Sequence, residues 1–369
     1  MKQKLGQMFF IGIEGPELSA NEAQFIVENN IGGVTLFGRN LQSPEQIYKL
    51  NSDLQNLRHK MPNKTPLFIG IDMEGGRVHR LKSPFTQWPA VKRLGDLDST
   101  SLAFKMAQAM GTELKAVGFN LNFAPSADVL TNPKNEIIGD RAVSTDPEMV
   151  GKVASALVRG YIKSEIIPCA KHFPGHGNTL LDSHEELPVE ETPYDVLSDR
   201  ELNPFKKVFR ARLDLVMTAH IKFTAVDPEW PATLSKKFLT DIIRDEFRYK
   251  NAVISDDLDM KALRNHYKID EIALKAIDAG CDLLLYCNEP DSPKIALEAC
   301  HKALGDGSLS AARIEESISR IVKIKEKWLK EPDPLPWNEA KLLIGHPEHL
   351  KLAQAIESGD VPEEMKSTT

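Results

Sequence analysis

Eight short β-rich runs recur along this chain with helical patterns between them, and that alternation limits the fold more than any other feature. The runs are MFFIGI (8–13), GGVTLF (32–37), PLFIGID (66–72), GFNLNFAP (118–125), IIPCAKHF (166–173), LVMTAH (215–220), NAVISDD (251–257) and DLLLYC (282–287). Between them, EQIYKLNSDLQNLRHK (45–60), SLAFKMAQAMGTELKAVG (101–118), PEMVGKVASALVRGYIKS (147–164) and DEIALKAIDAG (270–280) carry apolar residues at i, i+3, i+4 and i+7, so each is a helix with one buried face. Strands separated by helices pair in parallel. A right-handed crossover after every strand closes the sheet on itself at eight units, which predicts an α/β fold, a (β/α)8 TIM barrel. An open doubly wound sheet is the competing architecture. No GxGxxG or GxxxxGK[ST] follows any of the strands, which weakens its nucleotide-binding form.

After the eighth run, ARIEESISRIVKIKEKWLK (312–330) reads as a closing helix, and the proline-rich EPDPLPW (331–337) breaks it. A further helix is expected around 347–357, packed on the barrel and followed by a frayed tail. The expected division is therefore a catalytic barrel over 1–330 and a C-terminal extension over 331–369. A chain of 369 residues with 41% hydrophobic content fills such a barrel and leaves no room for a second domain.

Charge and targeting signals narrow the partners. The formal net charge is -7 and the 46 basic residues are scattered, which argues against a nucleic-acid partner. The amino terminus, MKQKLGQMFFIGIEG, has an apolar run too short for a signal-peptide core, and no segment approaches the ~20 apolar residues of a membrane span. Cys169, Cys281, Cys287 and Cys300 show no CxxC spacing and read as reduced, packed thiols of a cytoplasmic protein.

In barrels of this kind the chemistry sits at the carboxyl ends of the strands. Asp72 ends the third strand and precedes a paired-glycine turn. Asp128 and Arg141 follow the fourth, Lys171 and His172 end the fifth, His220 ends the sixth, and Asp256 with Asp257 ends the seventh. Polar groups at one rim on five strands are better explained by a ligand than by chance. Each has a plainer explanation when taken alone: Asp72 as a turn cap, Arg141 as a surface ion pair, His220 as a satisfied core histidine. In the Asp256-Asp257 pair, strand alternation points one side chain alone into the barrel mouth.

The stretch KHFPGHGNTLLDSH (171–184) admits three readings. It is a glycine-shaped loop with solvated histidines, or a zinc site built from His172, His176, Asp182 and His184, or acid–base machinery in which Asp182 orients His184. A lysine beside His172 disfavours a divalent cation there, and no metal or cofactor is expected.

Six segments in order resemble the motif series of glycoside hydrolase family 3. They are Ile71-Asp72-Met73-Glu74-Gly75-Gly76-Arg77-Val78, Asn122-Phe123-Ala124-Pro125, Ile138-Gly139-Asp140-Arg141, Lys171 to Gly177 with Asp182-Ser183-His184, Met217-Thr218-Ala219-His220, and Ile254-Ser255-Asp256-Asp257-Leu258. The likeness runs from about residue 5 to 357 and is nearest to the single-domain, NagZ-type β-N-acetylglucosaminidases of peptidoglycan recycling.

The resemblance implies a retaining hydrolase that removes a terminal N-acetylglucosamine from muropeptide fragments bearing 1,6-anhydro-N-acetylmuramic acid. It implies Asp256 as nucleophile, His184 as acid/base with Asp182 as its partner, and Asp72, Arg80, Arg141, Lys171 and His172 as sugar-binding residues. A monomer acting on a small carbohydrate is expected. Met73 stands where relatives commonly have glutamine, and Ala142-Val143-Ser144 replaces Ser-Phe-Gly after the arginine. The competing activities are a phosphorylase of the same family, a zinc amidohydrolase, and a sugar-binding barrel without turnover.

Overall fold

Residues 2–183 and 185–366 are described by a computed structural model of the chain. Eight parallel strands close into a barrel: β1 (Phe9–Gly12), β2 (Gly33–Leu36), β3 (Phe68–Ile71), β4 (Leu121–Asn122), β5 (Ile167–Phe173), β6 (Leu215–Thr218), β7 (Ala252–Asp257) and β8 (Leu283–Tyr286). Each falls within one of the eight runs of the sequence. Closure is made by β1 on β8, where Phe9 pairs with Leu284 and Ile11 with Tyr286.

The barrel interior is filled by a size match across neighbouring strands. Phe10 stacks on Phe68 and meets the edge of Phe123, with ring centroids 6.1 and 5.6 Å apart. Glycines face those rings. A Cβ on Gly33 would lie 2.5 Å from the Phe10 ring and one on Gly70 would lie 2.9 Å from the Phe123 ring, so both strands need the smallest residue at that level.

The helices form where the amphipathic patterns predict them, at Pro44–Asn56, Thr100–Ala116, Pro147–Lys163, Ile269–Ala279 and Ala311–Trp328. Ser43, Ser99, Asp146 and Ser310 cap four of these by accepting a backbone N–H of the first turn. Helices at Ala20–Asn29, Leu202–Arg210 and Ser292–Asp306 complete more of the outer ring, and Lys237–Glu246 winds as a wider π-helix. No helix among the described residues is long and apolar enough to cross a membrane. All four cysteines are buried as free thiols.

Two buried ionic groups sew the closing helix, Ala311–Trp328, to the amino-terminal end of the barrel. Asp282, fully buried just before β8, accepts from Arg244 at 2.7 Å, Arg313 at 3.1 Å, Arg320 at 2.9 Å and the Ser317 hydroxyl at 2.8 Å. Lys325 enters from the same helix with its Nζ donating to Gln7 Oε1 (2.8 Å), Gly32 O (2.8 Å) and Pro66 O (2.7 Å), over the face of Phe68. Burial pushes the Lys325 ammonium down, and three oxygens with an aromatic face are what the charge meets in place of water.

Beyond residue 330 the extension carries three short helices, at Trp337–Ala340, Pro347–Ser358 and Glu363–Lys366, where the apolar pattern predicts one. Its second helix docks on the barrel through His349 Nδ1, 2.8 Å from the Glu113 carboxylate, and through Arg93, whose guanidinium donates to Glu357 O at 2.8 Å. Lys105 Nζ donates to Met365 O at 3.0 Å, so the segment expected to fray is met by the barrel wall.

Replacing Lys325 by methionine keeps the chain length of the side chain but strands three buried acceptors. Lys325→Met is expected to lower the unfolding free energy by about 2–4 kcal/mol in denaturant titration. A loss below ~0.5 kcal/mol would mean that the lysine is not the bottom plug of the barrel.

Candidate active site

The carboxyl ends of β3 to β7 converge on one rim, and each places its polar residues by a local device. After β3 the chain runs through Asp72 into a small antiparallel hairpin, Met73–Gly75 with Val78–His79. Gly75 and Gly76 turn it with φ of +102° and +55°. A Cβ on Gly75 would lie 2.4 Å from Pro89 O, so the turn needs glycine for space as well as for conformation. At the end of β5 the pairing with β6 slips between Ala170 and Phe173, and the Lys171-His172 and Phe173-Pro174 peptides are cis. Lys171 and His172, adjacent in the chain, both join the same polar network.

That network is a closed set of alternating charges. Lys171 Nζ lies 2.6 Å from Asp72 Oδ1 and 2.7 Å from Glu74 Oε1. Glu74, 3% exposed, also takes a two-pronged contact from Arg141, with Nε to Oε2 and Nη2 to Oε1 both at 2.9 Å. Arg80 closes on the outer oxygen of Asp72 at 3.9 Å. Burial by itself would push the Glu74 carboxyl up, but Arg141 and Lys171 hold it well below the usual carboxylate range. Burial likewise opposes the charges on Lys171 and Arg141, and the carboxylates around them raise both above their ordinary values. Glu74, Lys171 and Arg141 are therefore held in their charged forms by one another.

Behind this set sits a fully buried carboxylate, Asp128, that organises two histidines. It accepts from His172 Nδ1 at 2.7 Å, from the backbone N–H of His176 at 2.7 Å and from the Ser126 hydroxyl at 2.9 Å. Burial opposes its charge, and His172 and His176 hold it well below the carboxylate range. Arg141 Nη2 reaches His172 Nε2 at 3.2 Å; arginine only donates, so Nε2 accepts and Nδ1 carries the proton toward Asp128.

The two aspartates at the end of β7 part company. Asp257 is 7% exposed, and its oxygens accept from the N–H groups of Asp259 (3.0 Å) and Cys287 (3.1 Å) and from Asn288 Nδ2 (2.8 Å), tying β7 to the chain after β8. Asp256 is half-buried, its backbone N–H donates to Thr218 Oγ1 at 3.4 Å and its Oδ1 accepts the N–H of Asp257 at 2.8 Å. Asp72 follows β3 and Asp256 lies near the end of β7, so both carboxylates stand at the same rim of the barrel. His220 is fully buried; its Nδ1 meets Thr233 Oγ1 at 2.7 Å and its Nε2 meets Asp257 O at 2.9 Å, so it braces the backbone beside the pair.

Of the residues singled out by the sequence, Asp72, Arg80, Arg141, Lys171 and His172 form this one cluster. Asp182 stands half-exposed in the loop after β5, and His184 lies outside the described residues. The sequence offers Asp128 as a rim residue, His176 as a candidate zinc ligand and Glu74 only as part of the motif after Asp72; in the structure all three hold the cluster together. Their signal in the sequence was spacing: Glu74 is two residues from Asp72, and His176 stands in the same loop as the dyad. Among the described residues no three His, Cys, Asp or Glu side chains converge as a metal would require. The ring nitrogens of His172 and His176 are taken by protein groups.

Residues 1–324 match the family described as glycosyl hydrolase family 3 N terminal domain. A β-hexosaminidase of Nitrosomonas eutropha is 34% identical over 86% of this chain and 91% of its own. Native NagZ from Neisseria gonorrhoeae superposes with a TM-score of 0.78 at 30% identity, over 98% of both chains. A glycoside hydrolase family 3 β-N-acetylglucosaminidase from a Paenibacillus species superposes with a TM-score of 0.90 at 36% identity, over 96% of this chain and 68% of the other.

Burial, with the Asp259 carboxylate nearby, pushes Asp257 up to about 7. An acid whose folded pKa lies above its unfolded value stabilises the fold fully below the unfolded pKa, and that contribution is lost as pH rises through about 7. Asp257→Asn is expected to remove this dependence, so that the stability difference between wild type and variant changes by up to ~1.4 kcal/mol per pH unit between pH 4 and 7. Parallel curves for the two proteins across that window would show that Asp257 does not titrate there.

Proposed function

Because the chain belongs to glycosyl hydrolase family 3 and is a glycoside hydrolase of the β-hexosaminidase kind, we propose that it removes terminal, non-reducing N-acetylglucosamine with retention of configuration. The observation that carries this is the cluster of Asp72, Glu74, Arg141, Lys171 and His172 at the rim that also holds Asp256. Hydroxyl and acetamido groups are uncharged donors and acceptors. Fixed, ionised side chains that already satisfy one another offer such groups strong, directional hydrogen bonds without demanding a charged ligand.

Asp256 is the nucleophile in this proposal. Its oxygen attacks the anomeric carbon, the bond to the leaving oxygen breaks, and His184 delivers a proton to that oxygen. Water then gives a proton to His184 and attacks the glycosyl-aspartate, which restores both groups. Asp182 orients the imidazole. Two carboxyls nearby are poor substitutes for the histidine. Glu74 is held ionised by Arg141 and Lys171 and has no proton to give at neutral pH. Asp257 is pushed up to about 7, in the range of a general acid, but both of its oxygens are consumed by N–H donors of the β8 end. An imidazole serves as donor and acceptor around neutrality.

We further propose that the natural substrate is a peptidoglycan fragment, N-acetylglucosamine linked to 1,6-anhydro-N-acetylmuramic acid with or without peptide, and that the enzyme works in the cytoplasm as a monomer in cell-wall recycling. The similarity to NagZ over both full chains supports it.

Wild-type protein is expected to release nitrophenol from 4-nitrophenyl N-acetyl-β-glucosaminide in phosphate-free buffer containing a chelator, and Asp256→Asn is expected to reduce kcat/KM by ~10³-fold or more. Activity that requires added phosphate would make it a phosphorylase, activity abolished by the chelator would restore the zinc reading, and tight binding without turnover would leave a lectin-like barrel. His184→Ala is expected to slow substrates with poor leaving groups by ~10²-fold or more, and activated aryl glycosides far less, because an activated leaving group needs little protonation. Equal losses on both would remove His184 from the acid role.

A further inference from the structure

His176 is a buried histidine that takes no part in gripping a sugar, and its surroundings give it a different task. It is 2% exposed, and both ring nitrogens are used inside its own loop: Nδ1 lies 2.8 Å from Thr179 Oγ1 and Nε2 lies 3.0 Å from Ser183 Oγ. Its main chain is equally committed. The N–H donates to Asp128 Oδ1 at 2.7 Å, and the carbonyl accepts from Asn135 Nδ2 at 2.8 Å.

Ser183 is the residue between Asp182 and His184. It is 3% exposed, whereas Leu180, Leu181, Glu185 and Glu186 around it are exposed. Its hydroxyl therefore anchors an otherwise outward-facing segment. On its far side, Ser183 O accepts the N–H of Ala262 at 3.3 Å, while Glu185 pairs with Lys261 at 2.5 Å and Glu186 with His266 at 2.8 Å. Those partners belong to the chain that follows Asp256. Ser183 is thus held between the His176 ring and the segment after β7.

We propose that His176 is a positioning residue for the acid–base step, tying Ser183, the residue between Asp182 and His184 in sequence, to the Asp128–His172 pair. This rests on the glycosidase reading above. Asp128 is the common datum: one carboxylate orients His172 through Nδ1 and seats the His176 main chain, so the grip on the sugar and the brace of the loop share a reference. Burial and the neighbouring His172 push the His176 imidazole down to about 4, so the ring stays neutral through the working range. A neutral imidazole offers one donor and one acceptor, and hydroxyls satisfy either, which is the partner set found here. A hydrogen bond to the central residue of a tripeptide restricts the backbone on both sides, and so fixes the directions in which the two flanking side chains leave it.

The test uses Ser183→Ala, which deletes one oxygen from a small side chain, with His176→Gln as a second variant. Each is assayed on N,N′-diacetylchitobiose and on 2,4-dinitrophenyl N-acetyl-β-glucosaminide, and backbone amide exchange is followed over 177–187. Both variants are expected to lose about tenfold in kcat/KM on the disaccharide, to lose less than about twofold in kcat/KM on the activated substrate, whose departure needs little protonation, and to exchange faster over 177–187. Equal losses on the two substrates, a change confined to KM, or unaltered exchange would each overturn the brace. Wild-type protein that turns over neither substrate would defeat the glycosidase reading instead, and the exchange measurement would still decide whether His176 braces the loop.

Discussion

Closure of the barrel by β1 on β8 is the constraint on which everything else depends. The pairing joins residues 9–11 to residues 284–286, the largest sequence separation of any strand pair in the ring. Once closed, all eight strands point the same way, and their carboxyl ends share one rim. The polar ends of β3 to β7 then meet because of ring geometry, although Asp72 and Lys171 are 99 residues apart in the chain. The opposite rim has the opposite task. There Lys325, Arg313 and Arg320 join the closing helix to the barrel.

The chemistry of the site follows from how its charges are balanced. A lone buried glutamate would be neutral and a lone buried lysine would lose its proton, because burial disfavours charge of either sign. Setting Glu74 against Lys171 and Arg141 reverses both tendencies, and these three groups stay ionised although burial opposes each charge. That arrangement binds uncharged polar ligands well. It also removes Glu74 as a proton donor, which leaves the donation of a proton to a group outside the cluster.

The loop after β5 connects these two parts. It starts just past Lys171 and His172 at the end of β5, and its later residues carry Asp182. His176 lies between and is committed to both through Asp128 and Ser183. Gly177 passes so close to Val129 that a Cβ would stand 1.6 Å from its carbonyl oxygen, so the loop is pressed against the chain after β4 just past the brace. Helix docking of the C-terminal extension acts at a distance from this loop. His349 shares Glu113 with Thr86, whose N–H and hydroxyl donate to the same carboxylate, and so steadies the segment beyond Arg80.

The strand–helix alternation, the eight strands and the identity of the rim residues were legible in the sequence, because period and residue type are local properties that each segment carries by itself. The resemblance to a known motif series also singled out Asp72, Arg80, Arg141, Lys171 and His172, which the fold brings into one cluster. What the sequence could not decide was which of those groups are paired with one another and which are spent. Glu74, Asp128 and His176 look no different from other acidic or imidazole residues until the barrel brings β3, β4 and β5 together, and Asp256 and Asp257 are adjacent letters until the β8 end claims the second. Pairing depends on distances between segments a hundred residues apart, and those distances exist only after the ring has closed.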